Sequence, residues 1–372
     1  MSETSVDVNS ETPSRTITLR ARGWGGFVAV VLLLHIPFFF YPILRLCHWL
    51  ESPLWLTLLI FFPLSGSQII SRMFLRHNRS AWARWLRLTA DFWLGISPIM
   101  FFTLLMFEPI VFTDLVSAMT AAMIVIGVSL LCGAIGLVVA LNPVTERVRF
   151  TSLRLRNEVR FVQISDVHIG SRSGSFLERV VEKINHLEPD FVCITGDFID
   201  ASGVQESEIS SLRSISGPIF FCTGNHEKYE DLDEIIKLLT GLGVTVLRNC
   251  ADKFREDLQV IGIDDKEDAL QVRSQLHHID VDRNAFSLLL YHRPRGLVAA
   301  AEAGVDLMLC GHTHNGQIVP FNLLVNRVFD MVKGMYKHGE ARLYVSQGTG
   351  TWGPVMRFGT QSEITLFEIS PE

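Results

Sequence analysis

Apolar residues fall into two regimes along this chain. Between residues 24 and 141 they run almost without interruption, and from about 150 onward they come in short bursts separated by polar, Gly- and Pro-containing stretches. The first regime divides into four segments, 24–44, 53–71, 88–112 and 114–141. Each approaches the roughly 20 residues a helix needs to cross a bilayer. Charge is nearly absent over each stretch, which excludes the buried helices of a soluble core. A secretory leader is excluded too: the first apolar run is too long, no small-x-small cleavage site follows it, and more spans come after.

The second regime reads as alternating strands and helices. The run 159–165 is short and rich in β-branched and aromatic residues. Residues 175–188 then place Phe176, Leu177, Val180, Val181, Ile184 and Leu187 on one helical face, and Pro189 ends it. A second apolar run, 190–195, completes a β-α-β unit with a parallel strand pair. Strand-like runs recur at 218–222, 244–248, 258–263, 286–291, 305–310, 342–346 and 363–369, with helices near 231–241, 266–277 and 295–303. That is enough strand for two sheets with helices packed outside. The expected organisation is therefore a disordered tail over 1–22, a four-span transmembrane domain over 23–141, a linker over 142–157 and an α/β domain over 158–372.

Composition changes this picture little. The net charge of −6 on 372 residues supplies no basic surface for nucleic acid. The six cysteines are scattered without a C-x-x-C pair, as expected of small buried hydrophobes in a reducing compartment. Arginine placement sets an orientation. Arg15, Arg20 and Arg22 precede the first span; Arg72, Arg76, Arg79, Arg84 and Arg87 lie between the second and third; Arg147, Arg149, Arg154 and Arg156 follow the fourth. The other connections hold Arg45, Glu51, Glu108 and Asp114. An excess of positive charge marks the inner side, which puts both termini and the α/β domain in the cytoplasm.

The candidate chemistry lies in five ordered motifs: Asp166-x-His168, Gly196-Asp197-x-x-Asp200, Gly224-Asn225-His226-Glu227, a lone His292, and Gly311-His312-Thr313-His314. Each follows an apolar strand-like run, where the functional groups of parallel sheets gather. Together they supply O and N donors for two divalent cations, a pair that at about 4 Å separation cleaves phosphate esters by lowering the pKa of a shared water and clamping the phosphoryl oxygens. Two adjacent cations need an anionic bridge, and Asp197 is the candidate. Asp166, His168 and His314 would complete one site; Asn225, His292 and His312 would complete the other. His312 and His314 are expected to alternate along an extended loop and so diverge toward different metals. Donors without thiolate suit manganese, iron or zinc. His226 is spare, positioned to stabilise phosphoryl charge or protonate the leaving oxygen, with Asp200 orienting it. His186, His277, His278 and His338 lie outside the motifs and read as ordinary surface or core groups.

The motif set D-x-H, G-D-x-x-D, G-N-H-[DE], H and G-H-x-H resembles that of the calcineurin-like metallophosphoesterase superfamily, over about residues 158–370. The resemblance implies a four-layer αββα sandwich with a dinuclear centre. It carries the family's ligands onto Asp166, His168, Asp197, Asn225, His292, His312 and His314, and its Asp–His pair onto Asp200 and His226. Gly-His-Thr-His-x-Gly-Gln and the closing Gly348, Pro354 and Arg357 look similar to a bacterial membrane-associated branch, some of whose members cleave the pyrophosphate of UDP-2,3-diacylglucosamine. Asn315 stands where that branch often has Gly. Arg357 reads either as a contact to a substrate phosphate or as a surface ion pair. Three functions remain open: a membrane-anchored hydrolase of a phosphodiester or pyrophosphate, including a lipid-linked one; a phosphomonoesterase or nucleotide phosphodiesterase with a soluble substrate; and a membrane sensor with a phosphoesterase-like domain. The apolar segment 318–335, directly after the last motif, is either a cradle for acyl chains or a packing insert.

Overall fold

A computed structural model describes residues 35–75, 78 and 80–372. The expected tail over 1–22 and the opening of the expected first span lie outside these residues. The chain separates into a helical unit, which runs to Val139 and includes Gly353–Phe358, and a sheet domain of Ala140–Trp352 and Gly359–Glu372.

In the helical unit a π-helical turn, Ile36–Phe40, leads into α1 (Tyr41–Trp49). Then come α2 (Leu54–Ile69), extended by a π-turn over Ile70–Phe74, α3 (Ala81–Phe112) and α4 (Ala118–Leu141). Among the described residues three helices, not four, are long and apolar enough to cross a membrane: Leu54–Phe74, Ala81–Phe112 and Ala118–Leu141. Helix α3 starts at Ala81 rather than at 88, because Trp82, Trp85 and Leu86 continue the helix between Arg84 and Arg87. Asp91 is therefore inside α3, not at its start; it is buried and accepts from Arg72 Nη2 at 2.8 Å. Arg45 grips Glu108 with two bonds of 2.6 Å. Such pairing is how ionisable groups persist within apolar helices. Close approach in this unit needs small residues. A Cβ on Gly95 or Gly136 would meet the Met356 side chain, and the Arg357 amide donates to the Gly136 carbonyl at 2.9 Å.

The sheet domain holds twelve strands. In chain order they are β1 (Val144–Ser152), β2 (Val159–Ile164), β3 (Phe191–Thr195), β4 (Ile219–Cys222), β5 (Val244–Val246), β6 (Cys250–Arg255), β7 (Leu258–Gly262), β8 (Phe286–Leu290), β9 (Leu307–Cys310), β10 (Gly334–His338), β11 (Ala341–Val345) and β12 (Glu363–Pro371). One sheet runs β1-β12-β2-β3-β4-β5 and the other β10-β11-β9-β8-β7-β6. Strands β2 to β5 are parallel, and so are β7, β8, β9 and β11. Strand β1 occupies most of 142–157, the stretch read as a linker. Its sequence VTERVRFTS alternates polar and apolar because it is an edge strand, parallel to β12 and largely exposed. Arg149 Nε on β1 meets Glu368 Oε2 on β12 at 2.6 Å.

Alternation along the inner strands separates two kinds of apolar layer. On β3, Phe191 and Cys193 point between the sheets, where they join Phe161, Phe220, Phe286, Leu288, Leu307, Leu309 and Phe367. Val192 and Ile194 point the other way, onto the helix Gly174–His186 through Phe176, Leu177, Val180 and Ile184. Met308 and Cys310 of β9 face a third cluster with Leu297 and Ala300 of the helix Leu297–Ala303. Strands buried on both faces must be apolar throughout, which explains why they read as unbroken runs. Phe161 stacks between Phe191 and Phe367, with ring centroids 4.8 Å apart in each pair. One polar side chain in this seam ties the two sheets together. Gln163 Nε2 on β2 donates to Thr195 Oγ1 on β3 and crosses to the Cys310 carbonyl on β9, both at 2.9 Å.

Replacing Gln163 by Leu removes its bonds to Thr195 Oγ1 and to the Cys310 carbonyl, which keeps only the Ser346 amide as donor. The cost is expected at about 1–3 kcal/mol, read as a lower urea midpoint for the detergent-solubilised chain; an unchanged midpoint would show that the cross-sheet bond contributes nothing.

Candidate metal centre

The parallel strands end together, and the motifs sit on the loops that leave them. Asp166 and His168 follow β2, Asp197 and Asp200 follow β3, Asn225 and His226 follow β4, His292 follows β8, and His312 and His314 follow β9. These loops are laced to one another. The amides of Asp166, His168 and Ile169 donate to the carbonyls of Gly196, Asp197 and Phe198 at 3.1, 3.0 and 2.8 Å. The amides of Asp197, Phe198 and Ile199 donate in turn to the Glu227 carboxylate at 3.1, 2.6 and 3.0 Å, and Gly224 adds a fourth bond at 2.8 Å. Glu227 thus takes over amides that no strand satisfies once the chain leaves the sheet. Sequence reasoning assigned it nothing. Its position three residues after Gly224 at the start of a helical turn has capping-box spacing, the signal that would have found it.

The backbone is left-handed at five candidate ligands: Asp166 (φ 54), His168 (φ 58), Asp197 (φ 50), His312 (φ 73) and His314 (φ 48). Each such residue costs of order 1–2 kcal/mol, and their concentration marks a functional region. Glycine makes the approach possible. A Cβ at Gly224 would strike Asp197, and one at Gly311 would strike Ser165 and Asp166.

Two groups of donors result. Asp166, His168 and His314 offer atoms within 4.8 Å of one another, and so do Asp197, His292 and His312. His168 Nε2 and His314 Nε2 lie 3.2 Å apart, and His314 Nε2 is 3.3 Å from Asp166 Oδ1. In the second group His292 Nε2 lies 3.1 Å from both Asp197 Oδ2 and His312 Nδ1. His226 also approaches Asp197, at 4.0 Å, and forms a third group with it and His168. Asn225 is buried, and its Oδ1 has no hydrogen-bond partner among the described residues. An orphaned buried acceptor together with ring nitrogens crowded at hydrogen-bond distance is a donor set that fits cations.

Partners behind the donors fix their direction. His292 Nδ1 donates to the Thr195 carbonyl at 2.8 Å, leaving Nε2 for the cluster. Ser165 Oγ donates to Asp166 Oδ2 at 2.6 Å. Asp200 Oδ2 stands 3.3 Å from His168 Nδ1 and accepts from the Ser171 amide and hydroxyl. Asp200 was expected to orient His226; the structure sets it behind His168 instead, because the residues after β3 run alongside those after β2. The expected extended loop at His312 and His314 is absent as well. Thr313 is right-handed helical between two left-handed residues, and these reversals turn the two imidazoles toward different donor groups. Arg357 belongs to the helical unit and is fully buried there. It is neither a surface ion pair nor open to a phosphate arriving through solvent.

Electrostatics follow from burial and crowding. Burial pushes Asp166 up, and the charge of Asp197 adds to it. Burial opposes ionisation of Asp197 too, but the charge and hydrogen bond of His292 hold its carboxyl well below the usual range. His292 is raised to about 10 because Asp197 outweighs its burial. Burial lowers His312 well below the ordinary imidazole value, with His292 adding to the effect. Burial and His168 lower His226 to about 4. Glu227 is pushed up to about 7 by burial and Asp197, against the pull of its amide donors.

Two layers of mostly parallel sheet bring imidazoles and carboxylates together at their common C-terminal edge, the arrangement of a candidate metal centre. Comparison with known sequences agrees. The profile of the calcineurin-like phosphoesterase family matches residues 159–316. An uncharacterized metallophosphoesterase of Bacillus subtilis is 32% identical over 232 residues, covering 56% of this chain and 78% of that protein. One of Campylobacter jejuni is 34% identical over 227 residues, 58% of this chain and 60% of its own length. A transmembrane protein with metallophosphoesterase domain from Danio rerio is 36% identical over 236 residues, 56% of this chain and 52% of its own. The match therefore spans about six tenths or less of the longer relatives, and relatives occur in animals as well as bacteria. The chain belongs to the calcineurin-like phosphoesterase family.

Replacing Glu227 by Gln keeps the volume but turns an NH₂ group toward backbone donors. Loss of about 2–4 kcal/mol is expected, with reduced metal content by elemental analysis and faster amide exchange at 197–199. Unaltered exchange there would mean that the carboxylate does not hold the loops.

Proposed function

We propose that this chain is a membrane-attached phosphoesterase that hydrolyses a phosphodiester or pyrophosphate bond, with a lipid-linked substrate as its physiological target, as in the UDP-2,3-diacylglucosamine hydrolases of the branch its closing motifs resemble. The reading is carried by the two donor groups, whose crowded ring nitrogens and carboxylates, with the orphaned Asn225 oxygen, suit cations. In this reading Asp166, His168 and His314 hold one divalent ion, Asn225, His292 and His312 hold a second, and Asp197 lies between them. Manganese suits the mixed oxygen and nitrogen donors best, with iron or zinc as alternatives. Bound ions of this kind polarise phosphoryl oxygens and make water a nucleophile at neutral pH.

The remaining residues position and bind. Thr195 and Asp200 orient His292 and His168 from behind, Ser165 orients Asp166, and Glu227 keeps the loops registered. His226 is half-buried and not needed as a ligand. In this reading His226, kept neutral by its burial, donates an N–H hydrogen bond to a phosphoryl oxygen.

Two features support a lipid-linked substrate and the bilayer as a partner. The chain carries three helices of membrane-spanning length and hydropathy. The helix Phe321–Val328, which follows the His314–Gly316 turn, buries none of its residues and exposes Leu323, Leu324 and Val328. The arginine distribution supports a cytoplasmic catalytic domain, and the branch that the closing motifs resemble supports a bacterial inner membrane.

Protein stripped by chelator is expected to lose phosphodiesterase activity and regain it with Mn²⁺; activity indifferent to chelator rules out the metal reading. In the same assay, membrane lipid extracts are expected to be turned over in preference to soluble nucleotides, with products identified by mass spectrometry. The reverse preference would move the assignment to a soluble-substrate phosphodiesterase or monoesterase. Asn225→Ala should lower the occupancy of one metal. His226→Ala should keep both and depress turnover by about 10²–10³-fold; equal metal loss in the two variants would overturn the role given to His226.

A further inference from the structure

Two members of the donor cluster keep part of their surface in solvent. Asp166, His168, Asp197, Asn225, His292 and His314 are buried, whereas His226 and His312 are only half-buried. The way in therefore passes over these two imidazoles, and aromatic rings stand beside both. Tyr229 and Trp352 each meet His226 at 5.7 Å between ring centroids and 70° between planes. Phe329 meets His312 at 5.5 Å.

Tyr229 and Trp352 are 65% and 53% exposed, and they are the two large aromatic side chains so exposed among the described residues of the sheet domain. Leaving such rings in water forgoes roughly 25 cal/mol for every Å² of apolar surface. They come from unrelated segments: Tyr229 closes the short helix after β4, and Trp352 lies between β11 and β12. Both nevertheless converge on one histidine. Trp352 is also tethered, its amide donating to Gln317 Oε1 at 3.1 Å. Chance exposure would scatter such rings over the surface.

We propose that Tyr229 and Trp352 are specificity-determining residues that receive a flat aromatic ring carried by the substrate's ester group. The enzyme thereby selects ring-bearing phosphate esters over purely aliphatic ones. The proposal rests on the phosphoesterase reading above and adds the chemical class of the group next to the phosphate. Nucleobases and simple aryl groups share this chemistry, since each offers a π-face to a protein ring. One stacked ring strengthens binding by about tenfold or more.

The test uses the detergent-solubilised full chain loaded with Mn²⁺. Phenyl phosphate, adenosine 5′-monophosphate and methyl phosphate compete against hydrolysis of bis(4-nitrophenyl) phosphate, and their binding is also measured directly by calorimetry. Wild type is expected to bind at least one ring-bearing ligand about tenfold or more tighter than methyl phosphate, and which one does so identifies the source of the ring. In Trp352→Ala and Tyr229→Ala that ratio is expected to fall toward one, while Trp352→Phe and Tyr229→Phe retain it. Equal binding of all three ligands by wild type overturns the proposal, and so does loss of the ratio in the Phe variants. If wild type hydrolyses nothing, the phosphoesterase reading fails, and the calorimetric ratio still decides the role of the two rings.

Discussion

Two carboxylates and four imidazoles are packed where little water reaches, and that crowding governs the rest of the sheet domain. Asp166 and Asp197 are buried near each other, and charge repulsion in such surroundings is far stronger than in water. A proton on His292 answers part of it, which is why that imidazole is so basic. It leaves the contacts His168 to His314 and His292 to His312 at hydrogen-bond distance, with nitrogen facing nitrogen. Only a proton or a cation between them reconciles such pairs. The fit to a cation is thus a property of the packing and not of any single side chain.

Holding that set together strains the backbone, and the strain is met by the surrounding bonds. The loops after β2, β3 and β4 are joined by amide–carbonyl bonds and end on Glu227, a single buried acceptor for four amides. Left-handed residues alternate with right-handed ones, so neighbouring side chains leave one loop in different directions. Gly224 and Gly311 let those loops touch the carboxylates. The same seam is tied below the site by Gln163, which reaches from one sheet to the other. Both sheets must therefore be in place before the donors meet, and the centre is a joint product of the two halves of the sandwich.

The helical unit follows a different rule. Its charged groups are satisfied in pairs, Arg45 with Glu108 and Arg72 with Asp91, and its close contacts depend on Gly95 and Gly136. Apolar side chains face outward along its helices, as a hydrocarbon environment requires. Exposed Leu323 and Leu324 in the sheet domain depart from the polar surface expected of a water-facing domain, and so do Tyr229 and Trp352. Each of these lies near a candidate metal motif.

Much of this was legible in the sequence, because strand ends are encoded locally. An unbroken apolar run followed by Gly, Asp, Asn or His marks a doubly buried strand and the loop that leaves it, and in this way Asp166, His168, Asp197, Asn225, His292, His312 and His314 could be named before any fold was known. The apolar helices were equally plain, since composition alone sets their length. Contacts between segments far apart in the chain were not legible. Strand β1 looked like a linker because an edge strand needs only one apolar face. Asp200 was assigned to His226 by proximity in sequence, but the lacing of two parallel loops placed it on His168. Glu227 serves amides that become orphans only when the loops are stacked. The burial of Arg357 and the convergence of Tyr229 with Trp352 depend likewise on the path of the chain through space. Local pattern determines which side chains stand at strand ends; register and packing between the sheets decide which of them meet.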